Sequence, residues 1–294
     1  MTDLPQALLD DVKHLTALAR AEDLGEVGDV TSLVFVPEEA VGVGTFVQKE
    51  AGVPAGLPLV KVVAAEFSER LEVSADTSAE GVFSDETPRE LLTVRGPLRD
   101  LLTAERTMLN LLTHLGGIAT LTHAFAAECA GTRARIYDTR KTHLGHRRLE
   151  KYAVRVGGGA NHRMGLFDMV LVKDNHLSGV ADLESQVREA VGRAKATYRE
   201  VPIEVEVDTL QQLADVLKVA DVDVILLDNM PPATMREAVA LRDAAGHRAE
   251  LEASGGIDLA TVAAAAATGV ERIAVGAVTH SAPALDVGLD VRRL

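Results

Sequence analysis

The strongest constraint on the fold is a rhythm in the last two thirds of the chain: short apolar runs recur, and each ends in charged residues or glycine. Ile136-Tyr137 leads into Asp138-Thr139-Arg140-Lys141, and Met169–Val172 leads into Lys173-Asp174-Asn175-His176. Ile203–Val207 carries Glu204 and Glu206 and is followed by Asp208, and Val224–Leu227 leads into Asp228-Asn229. Leu251–Ala253 leads into Ser254-Gly255-Gly256, and Ile273–Val275 into Gly276-Ala277. Helical stretches lie between them, at Leu183–Tyr198, Leu210–Val219, Thr234–Ala245 and Leu259–Thr268. Taking Lys141, Lys173, Glu206, Asp228, Ser254 and Gly276 as strand ends gives steps of 32, 33, 22, 26 and 22 residues. One βα unit takes roughly 30 residues or somewhat fewer. The pattern therefore predicts a parallel β/α barrel, whose active sites lie at the carboxyl ends of the strands. Six clear strands fall short of eight, and the alternative is an open doubly wound sheet, which obeys the same strand-end rule.

The first third reads differently. One helix-like run, Leu8–Ala21, alternates with strand-like pieces near Val41–Gln48, Arg70–Ser74 and Leu91–Arg95, punctuated by Gly52, Pro54, Gly56 and Gly96-Pro97. This predicts a small mixed α/β layer. From Leu98 to about Ala130 the pattern is helical, with an interruption expected at Gly116-Gly117 and the domain boundary near it, so that 1–112 and 113–280 form separate domains.

Charge narrows the function. The net charge is −14, which argues against general nucleic-acid binding. Yet Arg133–His176 holds ten cations (Arg133, Arg135, Arg140, Lys141, Arg147, Arg148, Lys151, Arg155, Arg163, Lys173) against Asp138, Glu150, Asp168 and Asp174. A basic island in an acidic protein points to a local site for an anion, although Arg147–Arg155 also reads in part as a solvated helix. The single cysteine, Cys129, lies in an Ala-rich helical stretch and is read as buried filler. The acidic first thirty residues lack a signal-like apolar run, and no stretch approaches the roughly 20 apolar residues of a membrane span. A cytoplasmic protein is expected.

The strand ends supply cations, then acids, then glycine-rich backbone. Arg140, Lys141 and Lys173, with His162 and Arg163 after Gly157-Gly158-Gly159, suit a multiply charged carboxylate or phosphate, because arginine grips such groups with two parallel hydrogen bonds. The competing reading is internal pairing with Asp138 and Asp174. Glu206 and Asp228 end neighbouring runs, and paired carboxylates there hold Mg²⁺ or stabilise positive charge on a sugar. Glu204 and Asp208 share a face with Glu206 by strand alternation, and spacing does not choose among the three. Ser254-Gly255-Gly256 and Gly276-Ala277 each precede a helix and offer backbone N–H groups to a phosphate.

Several ordered motifs resemble those of the quinolinate phosphoribosyltransferase family: Glu22-Asp23-Leu24-Gly25, Ala104-Glu105-Arg106-Thr107, Asp138–Thr142, Lys151–Gly159, Asn161-His162-Arg163, Val172–His176, Glu204–Asp208, Leu227-Asp228-Asn229, Ser254–Ile257 and Val275–His280. The resemblance covers nearly the whole chain. It implies an N-terminal α/β sandwich and an incomplete parallel β/α barrel of about seven strands, the type II phosphoribosyltransferase architecture, with the tail 281–294 returning to the first domain. The implied reaction joins quinolinate to phosphoribosyl pyrophosphate, giving nicotinate mononucleotide, carbon dioxide and pyrophosphate in NAD biosynthesis. Carried over by motif, Arg106, Arg140, Lys141, His162, Arg163 and Lys173 surround the quinolinate carboxylates, and Glu206 and Asp228 serve Mg²⁺ and the ribosyl centre. Ser254, Gly255 and Gly276 take the 5′-phosphate, and Lys141, Lys173, Glu206 and Asp228 form the catalytic set. The family's active form is a homodimer in which Arg106 acts on the partner's site; higher oligomers are compatible with it.

The sequence departs from the family at His143-Leu144, where a small or polar residue and a proline are usual, and in the shortened segment Asp85–Glu90. The first affects the rigidity of the loop after Lys141, the second only packing. Other readings keep the fold and change the acid to a monocarboxylate, or make Lys173 a Schiff-base nucleophile.

Overall fold

The structure, a computed structural model, describes residues 4–177, 182–198 and 200–294. The chain runs α1 (Gln6–Leu24), α2 (Val30–Phe35), β1 (Val41–Gln48), α3 (Leu57–Phe67), β2 (Glu72–Ala75), β3 (Arg89–Pro97) and α4 (Leu98–Glu128). It continues through β4 (Arg135–Tyr137), α5 (Arg147–Val156), β5 (Val170–Val172), α6 (Asp174–Leu177), α7 (Leu183–Thr197), β6 (Ile203–Val207) and α8 (Leu210–Val216). It ends with β7 (Val224–Asp228), α9 (Pro232–Ala244), β8 (Glu250–Ser254), α10 (Val262–Ala266), β9 (Arg272–Ala274), α11 (Ala277–His280) and β10 (Val287–Arg293). Two compact units result: residues up to His123 with Thr142–Gly158 and Val278–Leu294, and Ala124–Lys141 with Gly159–Ala277. The boundary expected after 112 falls inside α4, and the 142–158 segment joins the first unit because α5 packs on α1.

The first unit holds a four-stranded antiparallel sheet in the order β10-β1-β3-β2. β1 is its centre, pairing with both β3 and the tail strand β10, so that Phe46 faces Leu92 on one side and Leu289 on the other. Phe46 is fully buried. α3 packs on β2 and on α1. Two features differ from the sequence reading. α4 is one unbroken helix through Gly116-Gly117. Here glycine serves close approach: a Cβ on Gly116 would stand 2.7 Å from Leu285 Cδ2, and one on Gly117 would collide with the Pro283 carbonyl. Leu285 docks there, its N–H donating to the Thr113 carbonyl at 2.9 Å. α5 is less a solvated helix than its charges suggest, since Leu149, Glu150, Lys151, Tyr152, Ala153 and Val154 are all buried. Cys129 is buried, as expected.

The second unit holds six parallel strands in the order β4-β9-β8-β7-β6-β5. That order is cyclic: β5 to β9 follow one another, and the last strand returns beside the first, β4. A doubly wound sheet would instead reverse direction and leave its first strand internal. Tyr137 at the end of β4 bridges Ala160, so a seventh position is reduced to a single-residue contact ahead of β5. No β4–β5 pairing occurs among the described residues, and the ring is an incomplete β/α barrel. β6 is buried along its whole length, Glu204 and Glu206 included, as a strand covered on both faces must be.

Candidate active site

The carboxyl ends of these strands open into one cavity of about 640 Å³. Its lining includes Arg140 and Lys141 after β4, Lys173 after β5, Glu206 on β6, Asp228 on β7, Ser254 at the end of β8 and Gly255 after it. His162 and Arg163 enter from the loop that bridges β4. Asp138 fixes that loop. Its buried carboxylate accepts from the His162 N–H at 2.9 Å and from Asn161 Nδ2 at 2.6 Å. Asp138 therefore positions the loop that carries the cations. The side chain of Asp174, the other acid expected to pair with them, lies outside the described residues.

The register explains which acids reach the cavity. Glu206, Leu226, Glu252 and Arg272 form one row across β6 to β9, and Asp228 and Ser254 form the next row toward the mouth. Glu206 Oε2 accepts from Lys173 Nζ at 3.1 Å. Asp228 accepts from Asn229 Nδ2 at 2.8 Å. Glu204 lies deeper, fully buried, and Asp208 is exposed at the start of α8. The three acids that spacing left equivalent thus take three different places.

At the base of the cavity, where His162 and Glu252 line it, lies a buried charge network that the sequence reading missed. His162 Nε2 lies 3.0 Å from Glu204 and 3.3 Å from Glu252, and Arg272 Nε donates to Glu252 at 2.7 Å. The Arg272 guanidinium also stacks over the Tyr137 ring at 4.0 Å. Burial alone would lower the His162 pKa, but hydrogen bonds and charge from Glu204 and Glu252 outweigh it and raise it to about 9. The Arg163 N–H, 2.7 Å from Nδ1, favours the neutral ring; two carboxylates on the other nitrogen outweigh one amide dipole. Burial and the neighbouring Glu252 raise the Glu204 carboxyl, whereas His162 and Arg272 overcome burial to lower Glu252. The strand alternation that placed Glu204 on the Glu206 face gave one signal for this network. Glu252, two residues before Ser254 on the same face, was the other.

With the floor neutral, the mouth is positive. Arg163 is held below its ordinary pKa, first by burial and then by the charge of Arg140. Among the described residues neither arginine has a carboxylate within 4 Å. At the rim Gly255 adopts φ +93° and Asn229 φ +51°, and the Asn229 N–H donates to the Ser254 carbonyl at 2.9 Å. A Cβ on Gly255 would come within 2.5 Å of Asn229 Cγ and 3.0 Å of its backbone nitrogen. Only glycine fits that turn. Gly256 also lines the cavity, and so does Asn229, to which sequence reasoning gave no role. Gly276 follows β9 outside the lining residues, and Arg106 is exposed on α4 in the first unit.

An incomplete β/α barrel whose strand ends gather four strong cations, two carboxylates and a glycine turn defines a class: enzymes that handle phosphorylated, polyanionic substrates at the barrel mouth. The comparisons specify which. Residues 29–116 match the model of the quinolinate phosphoribosyl transferase N-terminal domain, and residues 118–290 that of its C-terminal domain. The chain is 45% identical over 282 residues to the nicotinate-nucleotide pyrophosphorylase [carboxylating] of Mycobacterium leprae, covering 96% of this chain and 98% of that one. Among solved structures, NadC from Streptococcus pyogenes superposes with a TM-score of 0.89 at 33% identity over the whole of both chains. The nicotinate-nucleotide pyrophosphorylase from Francisella tularensis gives 0.87 at 32%, covering 99% of this chain and 98% of that one. The chain belongs to the quinolinate phosphoribosyltransferase family.

Proposed function

We infer that this protein transfers phosphoribose from phosphoribosyl pyrophosphate to the ring nitrogen of quinolinate and releases carbon dioxide and pyrophosphate, forming nicotinate mononucleotide for NAD synthesis. The observation that carries this reading is the convergence of Arg140, Lys141, His162, Arg163 and Lys173 on one cavity that also presents Glu206 and Asp228. Crowded guanidinium and ammonium groups repel one another, and a guest with two carboxylates relieves that repulsion while gaining charge-assisted hydrogen bonds.

In this reading Arg140, Lys141, His162, Arg163 and Lys173 hold the two carboxylates and aim the ring nitrogen at C1′. The nitrogen forms its bond as the C1′–oxygen bond to pyrophosphate breaks, and the positive charge that builds on the sugar is stabilised by Glu206 and Asp228. Lys173 sits on Glu206 and sets its orientation. Ribosylation leaves a pyridinium, which accepts the electron pair of the departing 2-carboxylate; a proton then replaces carbon dioxide at that carbon. Ser254 and Gly255 offer the rim turn to the 5′-phosphate, with Gly276 beside the next strand end. Glu206 and Asp228 are hard oxygen donors at the mouth of an anion pocket, a donor set that fits Mg²⁺. Bound there, the ion would neutralise charge on the leaving pyrophosphate. Arg106, exposed on α4, is assigned to the partner's site in a homodimer, and the protein to the cytoplasm.

The test is direct: purified protein with quinolinate, phosphoribosyl pyrophosphate and Mg²⁺ should produce nicotinate mononucleotide and carbon dioxide in equal amounts. Equal or better turnover of nicotinate in place of quinolinate would overturn the dicarboxylate assignment.

A further inference from the structure

The first unit carries a separate group of side chains with metal-ligating chemistry that the reaction does not use. His114 projects from α4, His143 from the segment ahead of α5, and Glu150 from α5 itself. The Glu150 side chain is wholly buried, and its Oε1 lies 3.0 Å from His114 Nε2 and 2.7 Å from His143 Nδ1. The His143 N–H donates to Oε2 at 3.3 Å. One ligand atom from each residue falls within 4.8 Å of the other two. His146 stands beside them, its ring 6.0 Å from that of His114 and 6.4 Å from that of His143. Its Nδ1 donates to the Leu144 carbonyl at 2.9 Å. All three imidazoles line a cavity of about 540 Å³.

We propose that His114, His143 and Glu150 form a binding site for a divalent cation of the zinc class, with a fourth coordination position open toward this cavity. The donor set is two imidazole nitrogens and a carboxylate oxygen, which suits zinc and its neighbours and not Mg²⁺. Ligand atoms held tetrahedrally at about 2.0–2.1 Å from zinc stand roughly 3.3 Å apart. The present spacings of 2.7 and 3.0 Å reach that by opening a few tenths of an ångström. The oxygen is already placed by the fold, because α5 buries it, while the His114 and His143 side chains are 33% and 56% exposed and give an ion a way in. His143 also falls where the sequence departs from its family's pattern. An ion there would restrain the 143–150 segment, which follows Arg140-Lys141 directly in sequence.

The experiment uses the full-length protein, stripped by chelation and held in excess Mg²⁺ so that the hard oxygen donors of the barrel are occupied. Zn²⁺ is titrated calorimetrically and Co²⁺ by visible absorption. A single equivalent of Co²⁺ should bind with the intense d–d bands of a four-coordinate site, and Zn²⁺ should displace it. His143→Ala and His114→Ala should each weaken binding at least about tenfold, while His280→Ala, outside the cluster, should bind as the wild type does. His143 is half exposed, so its replacement is compatible with folding, which circular dichroism melts would confirm. Absence of binding to the wild-type protein overturns the proposal. So does a titration that both histidine variants leave unchanged, since the three residues would then form only a hydrogen-bonded cluster.

Discussion

Removing the His162 imidazole tests whether the barrel floor is a charge network or simple packing. The rise of its pKa from 6.5 to about 9 on folding corresponds to roughly 3 kcal/mol, at about 1.4 kcal/mol per unit, for a side chain that is only 7% exposed. The sign follows from the direction. A histidine whose folded pKa lies above its unfolded one contributes its full stabilisation below pH 6.5 and loses it as the pH climbs through about 9. His162→Ala should therefore cost about 3 kcal/mol near pH 6.5, within the roughly 3–5 kcal/mol typical of stripping one partner from a buried ion pair. The gap between the two proteins should narrow toward a packing remainder above pH 9.

Urea unfolding followed by circular dichroism from pH 6 to 10 measures that gap without substrate, so a role in binding does not confuse the result. His162→Gln keeps a hydrogen-bond donor but no charge and should show the same pH-independent profile as alanine at a smaller cost. Adding Glu204→Gln should restore part of the loss, since burial and Glu252 already push the Glu204 carboxyl up. A gap that stays flat from pH 6.5 to 9.5, or one below about 1 kcal/mol throughout, refutes the network.

Lys141→Ala should weaken quinolinate binding by about ten- to a hundredfold, the worth of a charge-assisted hydrogen bond, and leave phosphoribosyl pyrophosphate affinity within about twofold; an equal loss of both would contradict the division of the site. Asp228→Ala should lower kcat and flatten the activation by added Mg²⁺, and an unchanged Mg²⁺ response, measured after chelation, would move the ion elsewhere. Gly255→Ala must place a Cβ at φ +93° against Asn229; it should cost about 1–3 kcal/mol in urea unfolding and raise KM for phosphoribosyl pyrophosphate more than for quinolinate. If Arg106 serves the partner's site, mixing Arg106→Ala and Lys141→Ala proteins under exchange conditions, at a quinolinate concentration too low for either variant alone to turn over, should restore about a quarter of the wild-type activity, whereas no recovery would place Arg106 in its own subunit's chemistry.

The barrel strands were legible because strands buried on both faces are apolar runs, and their polar ends mark where the chain reaches the mouth. Elements held together by distant partners were not. α3 reads Leu57-Pro58-Leu59-Val60 onward, too apolar and β-branched to show a helical face. Its start is fixed by Glu80, whose carboxylate accepts from the Gly56 and Leu57 N–H groups at 2.8 and 2.9 Å and also takes the Tyr152 hydroxyl. β10 carries Asp290, Arg292 and Arg293 and shows strand character only through its pairing with β1. Gly116-Gly117 read as a break because a sequence window cannot contain the Pro283–Leu285 segment that needs their missing side chains.

The acids of β6 show how depth converts one local pattern into separate tasks. Alternation puts Glu204 and Glu206 on one face, and two residues along a strand are roughly 6.6 Å. That step takes Glu204 below the cavity lining, whereas Glu206 is part of it. At the floor, Glu204 and Glu252 face His162 and Arg272, two negative charges against two positive ones with water excluded. The floor therefore adds little net charge to the cavity above it. At the mouth, Glu206 and Asp228 meet Arg140, Lys141, Arg163 and Lys173, and the positive groups are in excess. If the floor carried its carboxylates without His162 and Arg272, their charge would offset that excess and the attraction for a dianion would fall. Attraction of a dianion to the mouth would thus depend on charge compensation at the base of the same cavity, supplied by His162, which lines it, and by Arg272, which does not.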